Sequence, residues 1–166
     1  MYRVFAFKRA LMGILCLLIA ALILLGTAVN IMPVGAPQRA LPIYSVETEK
    51  PLVSLGINCA WDDSDIDRLL ELLDRHSVKA TFFFVGDWCD RYPDAVKRIA
   101  AAGHELGSHS DTHPDMTKLS REQIEQQLTR SGDKIETLTG VRPTLFRAPS
   151  GAYDDEVVQT ARALGW

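Results

Sequence analysis

The sequence predicts an α/β fold, a parallel sheet or a (β/α) barrel, preceded by one N-terminal transmembrane helix. Three observations predict it. Four short β-type runs each lead into an amphipathic helical stretch between Pro51 and Trp166, and repeated βα units lay their strands side by side in parallel. Polar and unusual residues collect where those strands end, which is where such sheets carry their chemistry. Ahead of them, residues 10–29 form an uncharged apolar run of 20 residues, about the length that crosses a bilayer core as a helix.

Arg3, Lys8 and Arg9 precede that run and the next base is Arg39. The positive-inside rule therefore makes residues 1–9 a cytoplasmic tail and exports the body. Residues 10–29 read as a single-pass signal-anchor, because the run is longer than the ~7–15 residues of a cleaved signal core. The alternative is a signal peptide cut near Gly26-Thr-Ala28, which would leave the body secreted. Residues 30–50, with Pro33, Gly35, Pro37 and Pro42, read as a linker. Residues 51–166 form the body.

Within the body, Leu52–Ile57 is the first expected strand. Ser64 is expected to cap a helix with Asp67 as its partner, burying Ile66, Leu69, Leu70 and Leu73. Ala80–Val85, β-branched and aromatic, is the second strand. Pro93 opens a helix that buries Val96, Ile99 and Ala100, and Gly103 closes it. His104–Ser108 is the third strand. Ser120 and Gln123 form a capping box on a third helix, which buries Ile124, Leu128, Ile135 and Leu138 and stops at Gly140. Thr144–Arg147 is the fourth strand, and Asp154 opens the last helix.

Composition narrows the function. Apolar residues are 47% and charged residues 23% of the chain, which argues against disorder. The net charge is −3, but residues 1–29 contribute +3, so the body is acidic. An acidic body speaks against nucleic-acid binding. Three cysteines, Cys16, Cys59 and Cys89, are too few for a disulfide scaffold.

His109-Ser-Asp-Thr-His113 puts two imidazoles four residues apart. They reach one metal if the segment makes a helical turn, and are plain surface histidines otherwise. Arg147, at the end of the fourth strand before Pro149 and Gly151, can anchor a carboxylate in a cleft or simply lie on the surface. Taken together, Lys79–Gly86, Gly103–Pro114 and Phe146–Gly151 resemble the polysaccharide deacetylase (NodB homology) family, carbohydrate esterase family 4. The resemblance runs in family order from about Pro51 to Trp166.

The resemblance implies a distorted (β/α) barrel, followed here for about four βα units, that removes acetyl groups from sugar polymers. It implies a divalent metal, most often zinc, held by His109, His113 and an aspartate. It also implies an aspartate base, oriented by Arg147, that activates water. Pro149 and Ser150 match the wall of the acetyl pocket, where an aromatic usually replaces Ser150. Trp61 is a further candidate substrate contact.

The first family motif, Thr-Phe-Asp-Asp-Gly, is departed from. Gly56-Ile-Asn-Cys-Ala60 stands there, so the base position is Asn58, which has no titratable group near neutrality, and the metal-ligand position is Cys59. Three outcomes are open. Asp62 or Asp63 substitutes as base or ligand, with a helix-terminal role as the plain alternative. Cys59 ligates the metal as a thiolate. Or Cys59 pairs with Cys89. The family's later motifs, Asp-x-x-Asp-Trp and Leu-x-His, would lie past Trp166, so the chain is expected to be the N-terminal part of a longer domain or a truncated product. Two functions follow. One is a membrane-anchored, extracytoplasmic, metal-dependent deacetylase of N-acetylglucosamine-containing polysaccharide such as peptidoglycan or chitin-like chains. The other is a catalytically inactive relative that binds glycan or the cell wall.

Overall fold

The computed structural model describes residues 12–23 and 39–166. Residues 12–23 are an exposed helix, α1, in the middle of the expected membrane segment. Residues 10, 11 and 24–29 of that segment lie outside the described residues, as do the tail 1–9, the cleavage position and linker residues 30–38. Among the described residues, no helix is long and apolar enough to cross a membrane.

The body follows the order β1 (Gly56–Cys59), α2 (Ile66–Arg75), β2 (Thr81–Phe84), α3 (Gly86–Arg91), α4 (Pro93–Ala101), β3 (Glu105–Ser108), α5 (Arg121–Thr139), β4 (Leu145–Phe146) and α6 (Asp155–Ala163). Short 3-10 turns stand at Met116–Lys118 and Pro149–Gly151. The four strands form one sheet in the order β1-β2-β3-β4, and every neighbouring pair is parallel. The strands run in consecutive order, and Ile57, Leu69, Phe84, Val96 and Ile135 share one core cluster, so α2, α4 and α5 pack on the same face of the sheet. That is the winding of barrel staves, as the βα alternation predicts.

Side chains alternate across a strand, so each strand serves two environments. Ile57 and Cys59 of β1, Phe82 and Phe84 of β2, and Leu106 of β3 all pack into the helix-side core. Phe82 and Phe84 are fully buried, and truncating such a phenylalanine to alanine typically costs about 3–5 kcal/mol. Their neighbour Phe83 points the other way, toward the face that carries the site. A second cluster joins Met116, Ile124, Leu128, Val157 and Ala161 beneath α5 and α6.

Most element boundaries follow the local chemistry. Ser120 and Gln123 make the capping box of α5, and Gly140 ends that helix in the left-handed conformation. The Asp154 carboxylate accepts from the Val157 N–H at the start of α6. Pro93 occupies the first turn of α4.

Two expectations need correction. β1 starts at Gly56, not Leu52, because the ladder reaches only as far as the facing strand: Gly56 pairs with Thr81. Leu52 and Val53 upstream are exposed. Ser64 does not cap α2, whose N-cap is Asp65 with no side-chain bond; the Ser64 amide and hydroxyl both donate to Asp62 instead. The stretch after β2 is a short helix, α3, that buries Trp88 and Cys89. The described end of the linker is also held to the body. The Ala40 N–H donates to Asp155, Arg162 donates to the Leu41 carbonyl, and Tyr44 meets Tyr153 through their hydroxyls.

His104, at the start of β3, is buried, and its Nδ1 accepts from the Ala80 N–H at 3.3 Å. Burial pushes its pKa below the ordinary 6.5, and the charge of Lys79 adds to the effect. The unfolded chain therefore takes up this proton at a higher pH than the folded chain does. Stability should be full above about pH 7 and fall as the pH drops through 6.5 toward the folded value. Urea midpoints measured across that range check this, and a His104→Asn variant should show a flatter profile.

Candidate functional site

Three strand ends meet at the carboxyl edge of the sheet. β1 delivers Asn58, β4 runs into Arg147, and β3 runs into the turn His109–His113. Arg147 ties them together. Its Nη1 donates to Asn58 Oδ1 at 2.9 Å, and its guanidinium lies 4.1 Å from the centroid of the Phe83 ring, a cation–π distance. The seat is shaped by two missing side chains. A Cβ on Gly56 would stand 2.0 Å from the guanidinium, and one on Gly107 would stand 2.6 Å from the Phe83 ring. With its oxygen engaged by Arg147, the Asn58 side chain keeps its NH2 free to donate.

The Arg147 backbone continues the connection. Its N–H donates to the Ser108 carbonyl at 2.9 Å, and its carbonyl accepts from His109 Nδ1 at 2.7 Å. A carbonyl carries no proton, so Nδ1 holds the hydrogen and Nε2 keeps its lone pair. Burial pushes the His109 pKa down, and the charges of His113 and Arg147 add to this against the pull of the carbonyl bond. The imidazole is thus neutral near pH 7. The His113 ring stands edge-on, 4.9 Å from that of His109 between centroids. The turn that brings them together is not helical, contrary to the condition drawn from spacing. Ser110 and His113 adopt φ of 67° and 60°, in the left-handed region that few non-glycine residues occupy.

Asn58, Arg147, His109 and His113 therefore form one continuous cluster, and the other candidates stand apart from it. Cys59 follows Asn58 by one residue, so it points to the opposite face. It is buried in the helix-side core near Cys89, and burial pushes its thiol pKa up to about 12. Both thiols are free, so no Cys59–Cys89 disulfide is present. Asp62 is committed to the turn before α2, where its carboxylate accepts twice from Ser64; these bonds hold its pKa low. The Asp63 carbonyl accepts from the Ile66 N–H at 3.1 Å. Pro149 is buried in the turn after Arg147, and Ser150 is exposed with φ of 53°. Trp61 is 85% exposed at the outlet of β1.

For a metal, the two imidazoles are suitable nitrogen donors, and the Nδ1 bond of His109 is the kind of outer-shell contact that orients a ligand. A third donor is lacking: among the described residues no group of three His, Cys, Asp or Glu side chains is placed to hold an ion. Cys59 is excluded by strand alternation, and the Asp62 carboxylate is turned to Ser64 through its Oδ1. The donors that the cluster offers do not complete a zinc site, which needs three or four protein ligands.

Residues that motif reading missed lie on α5 and in the turn itself. Asp111 is buried and bonded by Lys134 at 2.6 Å. Gln127 reaches the same turn. Their signal was the polar spacing Gln127, Ser131, Lys134 on a helix otherwise buried through Ile124, Leu128 and Ile135.

The polysaccharide deacetylase family model matches residues 45–166. The chain is 42% identical over 120 residues to the uncharacterized protein YlxY of Bacillus subtilis, covering 72% of this chain and 38% of that one. It is 40% identical over 128 residues to the peptidoglycan-N-acetylglucosamine deacetylase PgdA of Listeria monocytogenes, covering 74% and 28%. Among solved structures, the wild-type CE4 family pseudoenzyme BA3943 of Bacillus anthracis superposes with a TM-score of 0.73 at 40% identity, covering 76% of this chain and 45% of that one. A BA3943 mutant with restored enzymatic activity matches equally well. The chain spans less than half the length of these proteins.

Cys59 and Cys89, both buried with pKa values pushed up to about 12, should resist iodoacetamide near pH 8, since the thiolate is the reactive form. Mass spectrometry should find both unlabelled in the folded chain and both labelled after denaturation. Rapid labelling of Cys59 in the folded chain would mean that it is an accessible thiolate poised to bind metal.

Proposed function

The chain belongs to the polysaccharide deacetylase family, and from this we propose that it acts on acetylated cell-wall polysaccharide of the peptidoglycan or chitin-like class. In this reading it is a deacetylase-type hydrolase working outside the cytoplasmic membrane, anchored through residues 10–29 with 1–9 inside and 30–50 as linker. Its hydrolytic step is weakened by the residues at positions 58 and 59. The observation that carries the reading is the Arg147–Asn58 bond at 2.9 Å: the arginine still reaches the position where the family resemblance puts the base.

The chemistry follows from what these groups can do. Hydrolysing an acetamide requires a water to lose a proton as it attacks, and a positioned base contributes about 10²–10⁴-fold. An asparagine amide cannot take that proton. Asn58 can donate its NH2 to an acetyl carbonyl, and His109 can accept a sugar hydroxyl at Nε2. Arg147 holds Asn58 in place, and Trp61 offers an exposed ring for a sugar face. The family resemblance also implies a divalent metal, most often zinc, on His109 and His113. Among the described residues no third ligand is in place, so no step here runs through the metal. Asp62 accepts two bonds from Ser64 at the start of α2, and the Arg147 guanidinium bonds Asn58, not Asp62.

A second reading, a catalytically inactive glycan-binding relative, is favoured by the amide at position 58 and by the likeness to a CE4 pseudoenzyme. One experiment separates the two. Acetate release from N-acetylglucosamine oligomers and binding to insoluble peptidoglycan are measured, with zinc present, for the full chain, Asn58→Asp and His109→Ala/His113→Ala. The hydrolase reading expects slow release by the parent, a rise of about 10²–10⁴-fold in Asn58→Asp, and loss in the histidine variant. Binding without release by either of the first two supports the inactive relative. Neither binding nor release overturns both.

A further inference from the structure

The geometry assigns to the polar stripe of α5, Gln127 above all, the role of positioning the His109–His113 turn. This rests on reading that cluster as the glycan site and extends the site to a helix that the motifs do not touch.

The backbone groups of the turn need partners that its shape denies them. Five consecutive N–H groups enter a bend with two left-handed residues, Ser110 and His113, and no regular helix or sheet ladder can satisfy all of them. Each is satisfied nonetheless. The His109 N–H continues the sheet to the Phe84 carbonyl at 2.7 Å. The Ser110 N–H donates to the Ser108 hydroxyl and the His113 N–H to the Ser110 hydroxyl, at 3.2 and 3.0 Å. The two between them, Asp111 and Thr112, both donate to Gln127 Oε1, each at 2.9 Å. The Gln127 Nε2 then donates to the Thr112 hydroxyl at 3.0 Å. One side chain therefore closes the middle of the turn with three bonds.

The rest of the stripe holds the same segment. Ser131, one helical turn beyond Gln127, meets the Ser108 hydroxyl. Lys134, a further turn along, bonds the buried Asp111 carboxylate at 2.6 Å and Asp90 at 2.7 Å. Positions i, i+4 and i+7 lie on one face of a helix, so α5 presents all three groups at once. From the other side, the N–H groups of Gly86 and Asp87 donate to the carbonyls of Ser110 and Asp111 at 3.0 and 2.9 Å. Gly86 must lack a side chain, since a Cβ there would lie 2.1 Å from the Asp111 carboxylate. The imidazole pair is thus set by a turn gripped through its donors by α5 and through its acceptors by α3.

Left-handed non-glycine residues are strained and persist only where the surroundings over-determine them. Gln127 supplies that determination through hydrogen bonding, not apolar packing. A glutamate can take its place, because a carboxylate oxygen accepts both N–H bonds and the Thr112 hydroxyl can donate to the other; a leucine of similar size cannot.

The test is amide hydrogen exchange by NMR on the full chain and its Gln127→Leu and Gln127→Glu variants. The nuclear Overhauser contact between the His109 and His113 rings is recorded on the same samples. In Gln127→Leu, exchange at Asp111 and Thr112 should speed by at least about tenfold while protection of Phe82–Phe84 holds, as local opening without global unfolding requires. The ring–ring contact should weaken, and Gln127→Glu should restore both signals. The proposal is overturned if Gln127→Leu leaves those two amides at the parent rate. It is overturned equally if exchange quickens uniformly through β2, or if Glu fails to restore what Leu removes. Acetate release does not enter this readout, so an inactive parent counts against the proposed function and leaves the positioning role to be judged by the amides.

Discussion

The burial of β2 on both of its faces is the constraint from which the rest of the body follows. Phe82 and Phe84 fill the helix-side core, while Phe83 turns to the opposite face and becomes the platform for Arg147. β1 and β3 pair with it in parallel and in register, so their residues are sorted by the same alternation. That sorting puts Asn58 with the arginine and sends Cys59 into the core. A one-residue slip of β1 would exchange the two and dismantle both the core and the site.

The site is therefore asymmetric in how it is built. Its arginine half rests on a rigid sheet: an aromatic ring beneath, glycines where side chains would collide, and backbone bonds given to Ser108 and taken from His109. Its histidine half rests on a loop in strained conformation, held by polar side chains of a helix and by the first amides of another. The first half is secured by packing and the second by hydrogen-bond geometry.

The chemistry of the cluster is accordingly split. The frame that would orient a base and present two imidazoles is intact, while both carboxylates that the family resemblance places on β1 are absent. Asn58 keeps the bond to Arg147 but not the proton chemistry. Cys59 keeps the position in sequence but, facing the core, contributes a protonated thiol among apolar side chains. Of the nearby aspartates, Asp62 closes its own turn at the start of α2, and the Arg147 guanidinium bonds Asn58 and neither of them.

Much of this is legible in the order of the residues alone. The βα alternation, the parallel order, the capping box at Ser120 and Gln123, and the gathering of His109, His113, Asn58 and Arg147 at strand ends all rest on local rules: periodicity, capping chemistry and where parallel sheets end. The sequence by itself determined those, and it determined that position 58 carries an amide. It did not show that β1 begins at Gly56, that Ser64 serves Asp62 and not a helix, or that a short helix follows β2. Only the tertiary structure decided which face Cys59 takes, that the histidines meet across a left-handed turn and not a helical one, and that Gln127, Ser131 and Lys134 hold that turn. The reason is physical. Periodicity and caps act within a few residues, whereas register, facing and the partners of a loop's amides depend on groups tens of residues away that only the packed chain brings together.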